Sequence, residues 1–583
     1  MAETLKTSRL LAVLLGGLLA FGCSSGSGDD DDASDDGTTD DGTTDDGGDG
    51  STYEGTPVIT ITSPERGTIT PLDSVEVSGT VTGSSAITSL TVNGGTAQVD
   101  ADGRFSVNLT LGQGLTIIET VARDDQGRES TDARGVLAGN LVEQATPVTE
   151  GLVANLSGTA MGGLATMIQD LASNTDFTAI ATGLNPVAET GGGGCLSATV
   201  NVNSVQHGEI SVGASPVAGG MAASVTVRDL VITGRANFRV ACVGGGADFT
   251  ITASSFDLTG TINPTLDATN INVALNGVNN SFSSFNLDVD GLPEFLVDLL
   301  NGTVRDQLQN ILRDTITGMV PTLANDFLSE FLADSFSIDL LGQTISLSVA
   351  PSSMNWTEQG GTIVLDTSST VDGADALYLS SPRPRPADAD LASTGLRIAV
   401  ADDVLNQLFA SVQASGALDM TVLPLPGDIL SAAFGGEVEA ASITMILPPV
   451  ANFDTTTGTA KLTVADLQMD AVGPGGEILA SFVLSAEIEL AVETRSDGGV
   501  RIVTRAPRIV AQILSQSEDL LTELTPDKVT AIAELGITQV SLLADDLLGS
   551  IPVPGLAGAT ITSPTFQPVG GYLMVGGDIT FTP

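Results

Sequence analysis

At 583 residues the chain is longer than one hydrophobic core organises, so two or three domains are expected. Its 71 acidic against 21 basic residues give a formal net charge of -50, which repels phosphate backbones and anionic membranes and argues against nucleic-acid binding. Three cysteines and one histidine leave no local Cys/His metal set, and a composition rich in Gly, Thr and Val favours β-structure.

The amino terminus carries Lys6 and Arg9 before an apolar run from Leu10 to Phe21, with Cys23 after Gly22. The run is too short to span a bilayer and has the layout of a signal peptide. Leu19-Ala20-Phe21-Gly22-Cys23 resembles a bacterial lipobox, although Leu stands one place earlier than usual. That resemblance implies cleavage after residue 22, acylation (palmitate among the chains) of Cys23 and, with Ser24 next, an outer-membrane lipoprotein. An ordinary cleaved signal with a chance Cys is the alternative. Residues 23–55 then form an acidic tether with no basic residue and no apolar periodicity, and like charges extend such a segment. The best calcium-loop register, Asp32-Ser34-Asp36-Gly37, lacks its second carboxylate and has Thr43 where a bidentate Glu is needed.

Residues 56–139 change character. Short alternating runs such as Val58-Ile59-Thr60-Ile61, Val75-Glu76-Val77 and Phe105-Ser106-Val107 are separated by turn signals, Asn93-Gly94-Gly95 and Asp102-Gly103 among them. About seven strands without a Cys pair predict an immunoglobulin-like sandwich. The run Pro57 to Pro64, with Asp102-Gly103-Arg104-Phe105 and Asp124-Asp125-Gln126-Gly127, resembles bacterial Ig-like modules of surface proteins. With no aromatic patch, a spacer role is expected of it.

From residue 140 a pattern occurs twice. Apolar residues at Leu152, Leu156, Ala160, Leu164 and Ile168 predict a helix over Val148–Leu171, weakened by Gly158, Gly162 and Gly163. Alternating strands follow, at Leu196–Val202, Ser224–Ile232, Ala236–Cys242, Phe249–Leu258 and Ile271–Leu275. A long amphipathic helix is then expected over Leu292–Leu332, its stripe running through Leu296, Leu300, Val304, Leu308, Leu312 and Met319, with a break after Val320 because of Pro321. After a Pro-rich link, Ser381-Pro382-Arg383-Pro384-Arg385-Pro386, Asp402 is placed to cap a second helix through Leu405, Leu408 and Val412. More strands, a helical region over Leu520–Leu548 and two closing strands complete the repeat.

This order resembles the bactericidal/permeability-increasing protein family of the tubular lipid-binding (TULIP) superfamily. The resemblance rests on Val349-Ala350-Pro351, the Pro-rich hinge, and Leu396-Arg397-Ile398-Ala399-Val400 leading into the Asp402 helix. It rests also on the ending Ile551-Pro552-Val553-Pro554, Phe566-Gln567-Pro568 and Tyr572-Leu573-Met574-Val575. It implies an α+β chain: two tandem elongated barrels of curved antiparallel sheet wrapped on long helices, after an all-β Ig-like sandwich. The barrels fall at 140–380 and 396–583, with residues 381–395 as hinge. The family's single disulfide implies pairing of Cys195 with Cys242, worth about 3–4 kcal/mol in the chain-entropy model; two unpaired buried thiols are the other possibility.

The resemblance further implies apolar slots that take acyl chains or other hydrophobic ligands, with no cofactor. Removing a ~16-carbon chain from lipid into water costs on the order of 12 kcal/mol at ~0.8 per CH₂. Candidate slot residues are Leu156, Ala160, Leu164, Ile168, Val304, Leu308, Leu312 and Met319, each of which reads as core more readily than as slot lining. The basic tip that the family's endotoxin-binding member uses has no counterpart here, so neutral or zwitterionic lipid is the expected partner. No nucleophile elbow, phosphate loop or zinc motif occurs, His207 has no supporting context, and Asp402-Asp403 and Asp545-Asp546 read as caps or solvated faces, so no enzyme is expected. The alternative function is a structural or adhesive surface lipoprotein with packed barrels, binding through its Ig-like module.

Overall fold

The computed structural model describes residues 55–581 except 192–193, 268–269, 290–296, 298–299, 332–335, 341–342, 372–374, 382, 388–394, 418, 420–437, 439, 454–459, 495–499, 506, 518–519, 521–523, 526, 532 and 534–558. The signal, Cys23, the acidic tether, Asp545-Asp546 and most of the expected Leu520–Leu548 helix therefore lie outside the described residues, although residues 527–531 within it are helical.

The first unit is a sandwich. Alternation of Val77, Val81, Phe105 and Ile118 with polar neighbours folds it into a three-stranded sheet (Val58–Ser63, Ser74–Thr82, Arg104–Thr110) facing a five-stranded one. The second sheet holds Thr68–Thr70, Glu129–Ala138, Gly114–Asp124, Ile87–Val92 and Gly95–Thr96 in that order.

The centre of the large body is one seven-stranded sheet to which both repeats contribute. Its order is Phe336–Leu340, Gln343–Thr357, Gly360–Val371, Val148–Ser157, Leu396–Ala401, Tyr572–Phe581, Ala559–Val569. Outward from the antiparallel pair Val148–Ser157 and Leu396–Ala401, where Ala154 faces Ile398, each side continues with a hairpin, and the first half adds Phe336–Leu340 at its edge. In each half the inner strand runs into a helix, then a curled sheet, and returns as a hairpin beside that strand. The duplication read from the sequence is therefore present in the topology. The halves share backbone hydrogen bonds across this sheet, so the hinge does not separate them.

Val148–Ser157 corrects an expectation. It is a strand, and the helix α1 starts only at Gly158, running Gly158–Ser173. Leu152 and Leu156 fit helical spacing, but Val148 to Ser157 also alternates and finds a ladder partner on each side. Leu156 is thus a strand residue. A short helix α2 (Phe177–Gly183) follows, with Asp176 capping Ala179 N at 2.9 Å.

The first curled sheet is dominated by one hairpin, Gly220–Val240 with Val243–Asp267, of 21 and 25 residues. The two strands expected at Ser224–Ile232 and Ala236–Cys242 are thus one continuous strand, and the one expected at Phe249–Leu258 extends well beyond both ends. Strands this long, at about 3.3 Å per residue, accumulate right-handed twist, which curls the sheet. Leu196–Gln206 and Asn270–Ser283 flank the hairpin. Against this sheet lies α3 (Arg305–Phe331), preceded by one π-type turn over Leu300–Val304. The expected break at Pro321 does not occur; the backbone stays helical to Phe331. Helix α4 (Asp402–Ala414) covers the second curled sheet, which pairs Ala440–Met445, Ala460–Val472, Ile478–Thr494 and Val500–Thr504.

Candidate functional site

The sequence-predicted slot residues fall along the interior of the first curled sheet. Val304, Leu308 and Leu312 of the α3 stripe are buried together with Ile316, Met161 of α1 and the inward residues of the sheet, Val273, Phe256 and Phe282 included. Leu156 packs against the same cluster, Ala160 is buried and Ile168 is half-buried. The side chains of Leu164 and Met319 are outside the described residues. Burial of each large side chain contributes about 1.5–3 kcal/mol, so this stretch of the interior acts as a hydrophobic core. Gly162 on α1 has no atom within 4 Å of where a Cβ would stand. The Cys195–Cys242 disulfide fastens the turn end of the long hairpin, bonding the loop Ala241-Cys242 to the start of Leu196–Gln206. Leu196 and Val243 beside it are exposed.

His207 lies half-buried, with Nδ1 at 2.8 Å from Gly208 O and its ring edge-on to Phe177. Among the described residues no three or more His, Cys, Asp or Glu side chains gather as a metal site, and no helix is long and apolar enough to cross a membrane.

The densest polar chemistry sits at the joint between the shared sheet, α4 and the hinge. Asp402 and Asp403 are neither cap nor solvated face, which corrects the sequence reading: they are 3% and 7% exposed. Ala401 holds the cap position, with no side-chain cap hydrogen bond, and Asp402 is the first helical residue. Asp402 Oδ2 accepts from Phe453 N at 3.2 Å; Asp402 N donates to Gly571 O at 2.9 Å, and Gly571 N to Phe453 O at 3.1 Å. This ring of three hydrogen bonds ties α4 to the final hairpin and to the second curled sheet. Asp403 accepts from Ser381 N at 2.8 and 2.9 Å and from Ser380 Oγ at 3.4 Å. Burial, reinforced by the neighbouring Asp403 charge, pushes the Asp402 carboxyl up to about 7, and burial raises Asp403 as well.

A cavity of about 250 Å³ opens beside the two acids, lined among others by Glu150, Tyr378, Arg383, Gly571 and Tyr572. Tyr378 Oη donates to Thr146 O at 3.0 Å and Tyr572 Oη to Glu150 O at 3.2 Å. Burial raises Tyr378 to about 12 and raises Tyr572 too, so both stay neutral donors. Gly571 (φ +89°) lets the Arg383 stem lie across the turn, where a Cβ would come within 2.2 Å of its Cδ.

A second buried polar cluster joins the sandwich to the outer face of the second curled sheet. In Ala460–Val472 the pairing slips between Val464 and Leu467, and Asp466 takes φ +51°. Ala465 packs with Leu115, Ile117, Leu137, Leu447 and Val510, while Asp466 faces Arg66. Arg66 Nη1 meets Asp466 Oδ1 at 3.0 Å and Ala133 O at 2.7 Å, and its Nη2 meets Gln512 Oε1. Gly67 N donates to Asp466 Oδ2 at 3.1 Å. Gln512 Nε2 donates to Asp132 Oδ2 at 3.0 Å, and Arg134 Nε to Asp132 Oδ1 at 3.0 Å. Gln113 of the sandwich donates to Ser380 O and Ser381 Oγ, both at 2.9 Å. The sandwich is thus packed on the second half and on the hinge, and a free spacer is the wrong description. Sequence reasoning had no signal for Arg66, Asp466 or Gln512, which meet across hundreds of residues.

A family model described as glucodextranase, domain B matches residues 57–139, the bounds of the sandwich. No curated protein matches the chain. Among solved structures, the crystal structure of lipopolysaccharide binding protein is similar at 11% identity, covering 75% of this chain and all of that one, with a TM-score of 0.42. P47 of Clostridium botulinum E1 is similar at 7% identity over 74% of this chain and all of its own, and P47 from Clostridium botulinum A2 at 9% over 75% and 99%, each with a TM-score of 0.23. At those scores the fold rests on the sheet topology set out above: an all-β sandwich packed on two curled, helix-covered sheets that share a central one.

Proposed function

We propose that the chain is an envelope lipoprotein that binds, and transfers, lipids or other hydrophobic ligands in apolar slots between each curled sheet and its helices. The carrying observation is that the first curled sheet turns an apolar face inward onto Met161 of α1, Phe177 of α2 and Leu308, Leu312 and Ile316 of α3, while the second packs on Leu405, Leu408, Phe409 and Val412 of α4 together with Ile345, Leu347, Val371 and Leu573 of the central sheet. Helices hold such a face through side-chain packing alone and move without breaking a ladder, so an acyl chain enters by displacing side chains. The charge of -50 favours neutral or zwitterionic lipid over a phosphorylated one. The amino-terminal acyl anchor at Cys23 and an outer-membrane location complete the reading, and no catalysis is assigned.

The test is extraction of the full chain, purified without detergent from a bacterial envelope, with organic solvent, followed by mass spectrometry. Stoichiometric lipid supports carriage. A folded, lipid-free protein that takes up no fluorescent acyl probe refutes it. That outcome favours the second reading, a structural surface lipoprotein, whose supporting observation is the close packing of Val304, Leu308, Leu312 and Ile316 into the first core.

A further inference from the structure

The two acids that open α4 are consecutive in sequence, yet the fold treats them differently. Asp403 receives three donor contacts, two from Ser381 N and one from Ser380 Oγ. The Asp402 carboxyl receives two backbone N–H groups, Phe453 N at 3.2 Å and Asp403 N. Adjacent buried carboxyls resist joint ionisation, and Asp402, the more deeply buried at 3% exposed against 7%, is the one that holds the proton. The groups facing the pair come from every surrounding element. The hinge brings Arg383, Val148–Ser157 brings Glu150, Leu377–Leu379 brings the Tyr378 phenol, and the last hairpin brings the Tyr572 phenol with Arg385 beside it. The segment at Phe453 contributes its backbone N–H.

We infer that Asp402 is a proton-operated joint: protonated, it keeps the second curled sheet closed on the shared sheet, and ionised, it draws water from the adjoining cavity and loosens the ring through Phe453 and Gly571. The cavity supplies the route for that water, since it is lined by Asp402, Gly571 and Tyr572 together. The ring is the part at risk because its three hydrogen bonds all close on Asp402 or on its acceptor partner. Proximity of Asp403 makes the ionised form costly, and Arg383 moderates that cost. The joint operates whether or not the curled sheets carry lipid.

The experiment is hydrogen–deuterium exchange on the full chain at pH 6 and pH 8.5, with rates normalised to intrinsic amide exchange. Peptides covering Phe453 and Gly571 are expected to lose protection at pH 8.5, by up to about tenfold, since with a proton affinity near neutrality the ionised share rises from about a tenth at pH 6 to nearly all at pH 8.5. Asp402→Asn keeps an oxygen acceptor for Phe453 N, and its protection is expected to stay at the pH 6 level throughout. Asp403→Asn removes the neighbouring charge, so the loss of protection moves to lower pH. Equal wild-type protection at both pH values overturns the proposal, and so does the same pH-dependent loss in Asp402→Asn. Should Asp402→Asn fail to fold, the wild-type comparison decides alone.

Discussion

Arg66 offers the sharpest test of how the sandwich is held. Arg66→Met keeps most of the aliphatic stem and removes the guanidinium. Four acceptors then change state: Asp466 Oδ1, Ala133 O, Gln512 Oε1 and the more distant Asp132 Oδ2. The dominant cost is Asp466, whose side chain is fully buried and is left with backbone donors such as Gly67 N against its charge. Breaking a buried pair by removing one partner costs about 3–5 kcal/mol. A chain of several units does not unfold in one step, so a global melt is the wrong readout. Native-state hydrogen exchange at the Gly67 and Ala133 amides reads the interface directly, since they donate to Asp466 and Gln512. We expect about 10²- to 10³-fold faster exchange at pH 7.5 and a smaller effect at pH 5, where the stranded carboxyl takes a proton. Arg66→Met with Asp466→Asn should recover most of the loss, because a neutral amide is cheaper to bury. An effect below about 1 kcal/mol, or no recovery in the double variant, refutes the claim that this pair holds the sandwich in place.

Three further predictions follow from other parts of the molecule. The Asp402 carboxyl is raised in the folded state to about 7 from its ordinary 3.8. Its stabilisation is therefore complete below about 3.8 and lost as pH rises through 7, by at most about 4 kcal/mol. The melting midpoint of wild type minus that of Asp402→Asn should fall between pH 5.5 and pH 8, and a rise would contradict the sign. Leu308→Ala removes a side chain 2% exposed in the first core and should cost about 2–5 kcal/mol in denaturant unfolding, with a loss under 1 kcal/mol pointing to a loosely filled interior. Replacing Cys195 and Cys242 by Ser opens a 47-residue link and should cost about 4 kcal/mol, read as a shift in midpoint against the unreduced protein.

Much of the fold was legible because its signals are local. The sandwich limits, the repeated strand-then-helix order, the α3 stripe and the closing strands all follow from periodicity and turn chemistry along the chain. The misreadings have physical causes. Val148–Ser157 satisfies helical and strand spacing alike over ten residues, and the ladder with Gly360–Val371 and Leu396–Ala401 decides between them. The first strand of the long hairpin reads as two because Thr233-Gly234-Arg235 look like a turn until the neighbouring strand pairs through them. Asp402 and Asp403 read as surface residues because two acids at a helix start usually are, and no local signal told that four elements would close over them.

What the sequence determined by itself was the set of elements and their duplication: alternation, amphipathic spacing, Pro and Gly placement, and the acidic balance are properties of neighbouring residues. What tertiary structure alone decided was which elements share a sheet and which polar residues meet. Arg66 and Asp466 stand 400 residues apart, and Gln144 and Gln407 meet as acceptor and donor across 263. Such pairs leave no trace in spacing, because their energy arises only when folding removes water from both partners at once.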